Sequence, residues 1–378
     1  MVVMALDHVR DFFHSGAMSF PPEDLTRTTP LIFFTRWITH VCAPSFFLLA
    51  GAGAWLRFAR DGSKARLSRF LWTRGAWLIL VELIVMRLAM NFTLSPQYPV
   101  ILLILWALGL AMIALAALIH LPLRVLAFSS IAIIVLHNTL DGIQAAQLGA
   151  FEGLWRVLHQ PGFFMPAGLP VVVAYPVLPW IGVIGAGFCL GSLFSRPPAE
   201  RQRFFLTLGL ALVAAFVVLR FVNSYGNPVP WSSQPSALFT LLSFLNTTKY
   251  PPSLQFLLMT LGPALILLAY FDRRQPTDGH PLVVIGRVPF FYYVLHFWLI
   301  HILASAMAFL RYGSASLAWL FSPLPSMGGA AENFPPGFGY PLWVSYAVWI
   351  AVVLMLYPLC LWFGRVKKRS QAWWLGYL

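Results

Sequence analysis

The stretch FFLTLGLALVAAFVVLRFV, residues 204–222, contains a single ionisable side chain, Arg220, and one other polar residue, Thr207, in a run of apolar residues. A helix needs about 20 such residues to cross roughly 30 Å of hydrocarbon, where no unpaired backbone group is tolerated. Similar runs recur along the chain, which is 59% hydrophobic and only 10% charged, with a mean hydropathy of +0.76. We therefore predict an all-α, polytopic transmembrane helix bundle.

About ten membrane spans are predicted from these runs, within one integral membrane domain that comprises residues 1–378. The sequence contains no internal repeat and no linker between separable domains. The first span is short, because only Met1 to Leu6 precede Asp7, and we expect a shortened start. A cleaved signal peptide is not indicated. The predicted spans are 1–13, 31–56, 75–94, 99–119, 122–140, 171–194, 204–222, 253–271, 282–309 and 341–363.

Lysine and arginine residues fall in alternate loops, and the positive-inside rule places those loops and the C-terminus in the cytoplasm. The opposite loops, 14–30, 141–170, 223–252 and 310–340, are longer and poor in these residues. The net charge of +13 follows from this topology, and no nucleic-acid partner is expected, because that would require a basic face on a soluble module. Cys42, Cys189 and Cys360 lie in apolar runs without CxxC spacing, so neither a disulfide framework nor a zinc site is indicated.

The segment MALDHVRDFFH, residues 4–14, concentrates charge at the start of this apolar chain. Asp7, Arg10, Asp11 and His14 follow i, i+3, i+4, i+7 spacing and share one helical face, with His8 at its edge. Ionisable groups inside a span are costly unless they pair or line a wet cavity, so this face predicts a functional site. A structural Asp–Arg pair at the mouth of the helix is the alternative.

Further polar side chains are expected at a similar depth on other spans. Each has a structural alternative, such as a Glu82–Arg87 pair or a satisfied core histidine. Together they predict an acid/base cavity rather than a metal site, because no metal-binding spacing such as HExxH occurs. They are Arg36, His40, Glu82, Arg87, His137, Asn138, Asp141, Arg220, Lys249, His296 and His301.

Six strings carry a resemblance that covers nearly the whole chain: MVVMALDHVRDFFH, FFTRWITHVCAPSFFLLAG, YPVLPWIGVIGAGFCLG, SFLNTTKYPPSLQFLLMTLGP, GRVPFFYYVLH and WWLGYL. In this order they resemble the bacterial branch of the heparan-alpha-glucosaminide N-acetyltransferase catalytic-domain family. The GRVPFFYYVLH string is also similar to a Gly-Arg to Tyr-x-x-His segment near the end of many transmembrane acyltransferases.

The resemblance implies an acetyltransferase of the bacterial inner membrane. Such an enzyme takes the acetyl group from cytoplasmic acetyl-CoA, its co-substrate, and transfers it to an amino or hydroxyl group of a sugar or glycan on the periplasmic side. The resemblance also allows a homodimer. Family members use a histidine near the outer end of the first span; that role matches His8 or His14, and the sequence does not choose between them.

Three departures from the family pattern bear on these expectations. The string HSGAMSF lacks the Trp-Asn-Gly that follows the first span in the eukaryotic branch, so glucosamine is not implied as the acceptor. His40 stands where many relatives carry an aspartate. The Leu-Asp-x-x-Arg-Gly segment that precedes the first span in relatives is absent, which again indicates a shortened start.

The chemistry of acyl transfer fits these residues. A base must take a proton from the attacking group, and histidine, with an unperturbed pKa of about 6.5, does so at neutral pH. Asp7 or Asp11 could orient that ring. The sequence does not decide whether the acetyl group passes directly to the acceptor or first forms a covalent acetyl-enzyme intermediate. The candidate catalytic residues are His8, His14, Asp7, Asp11 and His40.

Binding residues are predicted from charge and depth. Arg36, Asn246 and Lys249 are candidate donors to the oxyanion of the tetrahedral intermediate. The anionic end of acetyl-CoA suits a basic loop, although topology alone also explains that loop, and Gly51 and Gly53 beside it allow close approach of helices or of the pantetheine arm. The candidate acetyl-CoA residues are Arg57, Arg60, Arg66, Arg69 and Arg74. The candidate substrate-binding residues are Arg36, His137, Asp141, Asn246, Lys249 and His296.

Two other classes of function remain. A proton-coupled transporter would use the same buried histidine and aspartate residues as a relay, but transporters usually show paired repeats with broken helices, and we find no such repeats in the sequence. A non-catalytic scaffold would not need these charges in its spans. The exterior loop 223–252 mixes aromatic, amide and hydroxyl groups, which is typical of a sugar-binding surface or of a loop ordered by prolines.

Overall fold

The computed structural model describes residues 1–322, 331–370 and 372–377. These residues are mostly helical, which confirms the predicted all-α, polytopic class. Seven helical segments in the described part of the chain are long and apolar enough to cross a membrane, and the span count of about ten stays a prediction. The seven are Pro30–Asp61, Leu123–Leu140, Leu178–Ser195, Pro198–Val222, Leu254–Arg274, Pro289–Leu317 and Leu342–Arg369.

The chain forms two compact units, and a single domain over residues 1–378 stays a prediction. The first unit consists of residues 1–42, 84–98 and 276–378. In it, α1 packs against both α14 and α15, and the indole Nε1 of Trp349 donates to the carbonyl of Val2 at 2.8 Å. Its helices are α1 (Val2–Phe13), α2 (Pro30–Trp37), α5 (Arg87–Asn91), α13 (Pro281–Arg287), α14 (Pro289–Tyr312) and α15 (Leu342–Arg369).

The second unit consists of residues 43–83 and 99–275. Three helix pairs, α10 with α12, α4 with α6 and α7 with α9, form most of its packing. Glycines allow the backbones of these pairs to touch: a Cβ atom on Gly75 would lie 2.5 Å from the carbonyl of Gly109. Its helices are α3 (Cys42–Asp61, of which Cys42 belongs to the first unit), α4 (Lys64–Val81), α6 (Ile104–Leu118), α7 (Leu123–Leu136), α8 (Glu152–Leu158), α9 (Leu178–Gly191), α10 (Pro198–Val222), α11 (Ala237–Leu245) and α12 (Leu254–Arg274).

A small sheet replaces the beginnings of two predicted spans. Strand β1 (Val100–Leu102) pairs in parallel with β3 (Val171–Val173), which pairs antiparallel with β2 (Gly162–Phe164), in the order β1-β3-β2. The predicted helical starts at residues 99 and 171 are therefore wrong. β-branched valines favour strands, and Val171 and Val173 pack with Leu102 in a buried core on one face of this sheet.

Two other predicted spans are interrupted. Helix α2 ends at Trp37 and α3 begins at Cys42, and between them the hydroxyl of Thr39 donates to the carbonyl of Arg36 at 2.6 Å. Such a local side-chain bond competes with the helical ladder. In the predicted span 75–94, a π-helical turn (Glu82–Met86) separates α4 from α5.

The charged side chains of the predicted span 75–94, Glu82 and Arg87, form hydrogen bonds with backbone groups. The Glu82 carboxylate accepts from the backbone N–H groups of Leu105 and Trp106 at 2.8 and 3.2 Å. Arg87 donates to the carbonyls of Ser95 and Tyr98 at 2.7 and 2.9 Å. Both side chains therefore stabilise the local backbone.

Candidate active site

The charged face of α1 is assembled as its helical spacing predicts. Nη2 of Arg10 donates to Oδ1 of Asp11 at 2.6 Å and to Oδ1 of Asp7 at 3.4 Å. Asp7 and Arg10 are buried, whereas Asp11 is half-buried. Because Arg10 binds two carboxylates one turn apart, it fixes the direction in which both acids point.

Helix α2 and the segment before it complete the group. Nη1 of Arg36 donates to Oδ2 of Asp7, and its Nε donates to Oε1 of Glu23 at 2.9 Å. Nε2 of His40 lies 3.5 Å from the same Glu23 oxygen. We call Asp7, His8, Arg10, Asp11, Glu23, Arg36 and His40 the N-terminal charged cluster; all belong to the first unit.

The charges of the N-terminal charged cluster do not balance when its histidines are neutral. Three carboxylates, on Asp7, Asp11 and Glu23, face two guanidinium groups, on Arg10 and Arg36. The cluster therefore contains one more carboxylate than guanidinium groups. His8 and His40 stand beside Asp11 and Glu23, respectively.

His8 is the histidine of the cluster that also meets α14. Its Nδ1 lies 3.9 Å from Oδ2 of Asp11, and its ring centroid lies 5.3 Å from that of His296 and 4.1 Å from that of Phe297. The side chain retains 19% of its exposure. His8 therefore combines a carboxylate neighbour, a second imidazole and partial access to the surroundings.

His296 is fully buried, and its orientation fixes which nitrogen can accept a hydrogen bond. Nδ1 faces the backbone carbonyls of Tyr292 and Tyr293, so this nitrogen must carry a hydrogen. In the neutral ring Nε2 is then an acceptor, and within the described chain it has no hydrogen-bond partner. This nitrogen is therefore a buried hydrogen-bond acceptor that no described group satisfies.

His14 lies just beyond the end of α1. Its backbone N–H donates to the carbonyl of Arg10 at 2.9 Å, and the adjoining residues Phe13 and Ser15 exchange backbone hydrogen bonds with Tyr340. Burial, with a further contribution from Arg10, lowers the pKa of His14. Nδ1 of this ring has no hydrogen-bond partner among the residues that the structure describes.

His137 and Asp141 lie in the second unit, where they hold local structure. Nε2 of His137 lies 2.9 Å from the carbonyl of Pro252, and its Nδ1 faces carbonyls of its own helix. Asp141 accepts from Asn138 at 2.8 Å and binds Nε2 of His159 at 2.9 Å. Burial alone would raise the pKa of Asp141, but hydrogen bonds from His159 and Asn138 lower it.

Asn246 and Lys249 lie in the segment that precedes α12, also in the second unit. The backbone carbonyl of Asn246 accepts from Nη2 of Arg220 at 2.7 Å. The ammonium of Lys249 lies 5.2 Å from the centre of the Tyr250 ring, whose hydroxyl lies 3.4 Å from that of Tyr175. This segment therefore brings a cation and two phenols together.

The predicted acetyl-CoA residues line the end of α3 and the beginning of α4. The guanidinium of Arg57 lies 3.9 Å from the centre of the Phe70 ring, and Arg66 donates to the carbonyl of Asp61 at 2.7 Å. Arg57, Arg60, Arg66 and Arg69 are exposed, whereas Arg74 is half-buried. Four exposed guanidinium groups thus lie at the end of α3 and in the first turns of α4.

Two site residues were missed from the sequence. Glu23 lies in the string PPED of a predicted loop, where no periodicity assigns it to a face. His159 lies in a stretch that carries no motif. Among the described residues, no group of three or more His, Cys, Asp or Glu side chains could hold a metal ion.

Residues 15–225, more than half of the chain, match the family model described as "Heparan-alpha-glucosaminide N-acetyltransferase, catalytic". The chain belongs to this family. It is therefore an integral membrane protein of an N-acetyltransferase family. The comparison with curated proteins and the comparison with solved structures each found no match.

The family match includes only part of the site. Glu23, Arg36 and His40 lie inside the matched range, whereas His8 and His296 lie outside it. The roles of the last two residues therefore rest on the resemblance of their sequence strings and on their geometry.

Proposed function

We propose that the protein is an acetyl-CoA-dependent acetyltransferase of the bacterial inner membrane that acetylates an amino or hydroxyl group of a sugar or glycan on the periplasmic side. The observation that carries the proposal is His8, a partly accessible imidazole between Asp11 and His296 in the N-terminal charged cluster. Membership of an N-acetyltransferase family supports the acetyl group as the group transferred.

In this proposal His8 is the general base. The nitrogen or oxygen of the acceptor attacks the thioester carbonyl, a new N–C or O–C bond forms, and the C–S bond breaks. The acceptor proton passes to Nε2 of His8 and then to the sulfur of the departing coenzyme A. Asp11, beside Nδ1 of His8, stabilises the imidazolium, as a carboxylate neighbour does in other acyl-transfer sites.

His296 is proposed to bind the acceptor. Its Nε2 is the hydrogen-bond acceptor described above, and in the proposal it accepts a hydrogen bond from the attacking hydroxyl or amino group or from a neighbouring sugar hydroxyl. A buried hydrogen-bond acceptor without a partner costs free energy. A sugar that donates a hydrogen bond to Nε2 of His296 is therefore favoured over a sugar that has no donor at that position.

The exposed guanidinium groups of Arg57, Arg60, Arg66 and Arg69 are proposed to bind the phosphates of acetyl-CoA. Arginine forms bidentate bonds with phosphate, and the positive-inside rule places this connection in the cytoplasm, where acetyl-CoA is present. The same rule places the C-terminus in the cytoplasm. A homodimer, which the family resemblance allows, is also part of the proposal.

Transfer of label from acetyl-CoA tests the proposed function. Purified protein in liposomes is incubated with acetyl-CoA labelled on the acetyl group and with a panel of amino sugars and envelope glycans. We expect acid-stable label on at least one acceptor and release of free coenzyme A in equal amount. Arg60→Gln and Arg66→Gln together should raise the KM for acetyl-CoA with little change in kcat, because they remove binding contacts only.

The competing function gives a different result in the same vesicles. A proton-coupled transporter would accumulate a solute in response to a pH gradient and would release no coenzyme A. Uptake without label transfer to any acceptor would refute the acetyltransferase.

A further inference from the structure

Lys249 is an isolated charge in the second unit. Between residues 221 and 271 it is the one acidic or basic side chain in the sequence. Its ammonium lies 5.2 Å from the centre of the Tyr250 ring and forms no ion pair with any carboxylate of the residues that the structure describes. The predicted exterior loop 223–252 contains this residue, and lysine is depleted on that side of a membrane. Topology therefore does not explain why a cation stands here.

The backbone around Lys249 is fixed by hydrogen bonds. The backbone N–H of Ser253 donates to the carbonyl of Thr248 at 3.0 Å. The N–H of Thr248 and the hydroxyl of Ser253 donate to Oδ1 of Asn227 at 2.8 and 2.9 Å. We call residues 248–253 the Lys249 turn. Since both ends of this turn bind the same amide oxygen, the turn holds the backbone of Lys249 in one place.

The residues that follow α7 hold the Lys249 turn from a second direction. Nε2 of His137 lies 2.9 Å from the carbonyl of Pro252, and Oδ1 of Asn138 accepts from the backbone N–H of Leu254 at 2.8 Å. The turn is thus ordered by contacts within the protein. Such preorganisation lowers the entropic cost of binding a ligand, so the Lys249 turn has the rigidity that a binding site needs.

A series of aromatic side chains adjoins the Lys249 turn. The ring centroid of Tyr250 lies 5.0 Å from that of Tyr175, and their hydroxyls lie 3.4 Å apart. The Tyr175 ring is 6.0 Å from that of Trp180, which stacks on Phe47 at 4.4 Å. Aromatic faces carry partial negative charge and attract polarised C–H groups. Sugars combine such C–H groups with hydroxyls, so these rings suit a sugar.

Trp180 supplies a hydrogen-bond donor that lacks an acceptor. Its side chain is fully buried, and its Nε1 has no hydrogen-bond partner among the described residues. An indole N–H donates and cannot accept. A buried polar group without a partner in a native protein requires a physical reason, and a bound molecule is one such reason. Ammonium, phenol and indole groups are all donors, so the ligand that they favour is rich in oxygen and negatively charged.

We propose that the Lys249 turn and the adjoining Tyr175, Tyr250 and Trp180 bind an anionic sugar. The ammonium of Lys249 binds a carboxylate or phosphate group of that sugar, and the aromatic side chains contact its C–H groups and hydroxyls. A carboxylate and a phosphate share this chemistry, and their affinities distinguish them. The site lies within the second unit and does not depend on the proposed acetyl transfer.

Calorimetric titration of the full chain in phosphatidylcholine nanodiscs tests the proposal. The probes are glucuronate, glucose 6-phosphate, glucose and inorganic phosphate. We expect at least one anionic sugar to bind more tightly than glucose and than inorganic phosphate. Lys249→Met should weaken that binding at least about tenfold, because it removes a charge-assisted hydrogen bond, and Lys249→Arg should keep most of it. Lys64→Met, at an exposed lysine that begins α4, is the matched control and should bind as the wild type does.

The affinities of the two anionic sugars identify the anionic group. Tighter binding of glucuronate assigns a carboxylate, tighter binding of glucose 6-phosphate assigns a phosphate, and either result supports the site. The proposal is overturned if neither anionic sugar binds saturably, if glucose or inorganic phosphate binds as tightly as they do, or if Lys249→Met keeps the wild-type affinity. Trp180→Phe keeps a ring but removes the N–H donor. It should also weaken binding of the anionic sugar, which provides a second test if Lys249→Met does not fold.

Discussion

Glu23 completes the N-terminal charged cluster by binding side chains on and just after α2. Its carboxylate binds both Arg36 and His40 on one oxygen, while Arg36 also binds Asp7 on α1. Arg36 on α2 thus binds Asp7 on α1 and Glu23 in the preceding segment, and these contacts fix the position of α2 relative to α1. A residue outside any helix thus completes the site.

The ionisation of Glu23 gives the first prediction. Burial alone would raise the pKa of this carboxyl, but Arg36, with His40, holds the pKa well below the usual value of 4.5. A group with a depressed pKa in the folded state contributes stability above its unfolded pKa, and this contribution is lost as the pH falls through the folded pKa. We expect the apparent Tm of the wild-type protein in detergent to fall as the pH is lowered below 4.5. The Glu23→Gln variant should show a weaker fall of Tm over the same pH range.

Exposed Glu200 supplies the matched control, because Glu200→Gln should keep the wild-type acid slope. The explanation fails if Glu23→Gln loses Tm on acidification as steeply as the wild type does. Tryptophan fluorescence during heating provides the measurement, since the protein contains 15 tryptophans.

At the scale of the element, two glycines of α3 differ in what surrounds them. A Cβ atom on Gly51 would lie 2.0 Å from the carbonyl oxygen of Ile184 and 2.6 Å from the backbone nitrogen of Phe188, whereas nothing lies within 4 Å of the same atom on Gly53. Gly51 therefore lets α3 touch α9, and Gly53 does not. The sequence suggested close approach for both residues.

Substitution by alanine separates the two glycines. Gly51→Ala must push α3 and α9 apart, and overpacking of this kind costs about 1–3 kcal/mol. Gly53→Ala adds a methyl group in open space and should keep the wild-type Tm or raise it, since alanine is a better helix former. Equal Tm values for the two variants would contradict the packing of α3 on α9.

Arg220, at the end of α10, organises the segment between α10 and α12. Its guanidinium donates to the carbonyls of Phe244, Ser243 and Asn246 at 2.7, 2.8 and 2.7 Å and to the Gln255 side chain at 3.1 Å. These three carbonyls lie at the C-terminal end of α11, where a helix leaves its last carbonyls without partners, so a charged donor stabilises them.

Arg220→Met should therefore release this segment while α10 itself persists. We expect hydrogen exchange to accelerate at least tenfold in residues 240–250, measured by mass spectrometry in detergent. Arg203→Met, at an exposed position of the same helix, should leave exchange there unchanged. Unaltered protection of residues 240–250 in Arg220→Met would show that Arg220 does not hold the segment.

The elements show which features a sequence can predict. The charged face of α1 followed from helical spacing, because period 3.6 alone brings Asp7, Arg10 and Asp11 together. Strands β1 and β3 were missed, because a short apolar run has the same composition in a buried strand and in a helix. Glu23 was missed for a different reason: its partners lie on α2 and after it, and only tertiary structure brings the loop to them.

At the scale of the whole molecule, the family assigns the chain to membrane N-acetyltransferases, while its own residues supply the proposed chemistry. The matched range ends at residue 225 and begins at residue 15, so the two imidazoles that meet in the first unit, His8 and His296, both lie beyond it. Both lie in strings that carry the sequence resemblance, MVVMALDHVRDFFH and GRVPFFYYVLH, so the proposal that these imidazoles act on the acceptor rests on that resemblance and on their geometry.

The rate of acetyl transfer by His8 variants tests the central claim most directly. General-base catalysis contributes about 10²–10⁴-fold, so His8→Ala and His8→Gln should each transfer label from acetyl-CoA at least about 100-fold more slowly than the wild type. His120→Ala, at an exposed histidine between α6 and α7, should match the wild type. With the Tm of all three variants unchanged, a His8→Ala rate within twofold of the wild-type rate would contradict His8 as the base.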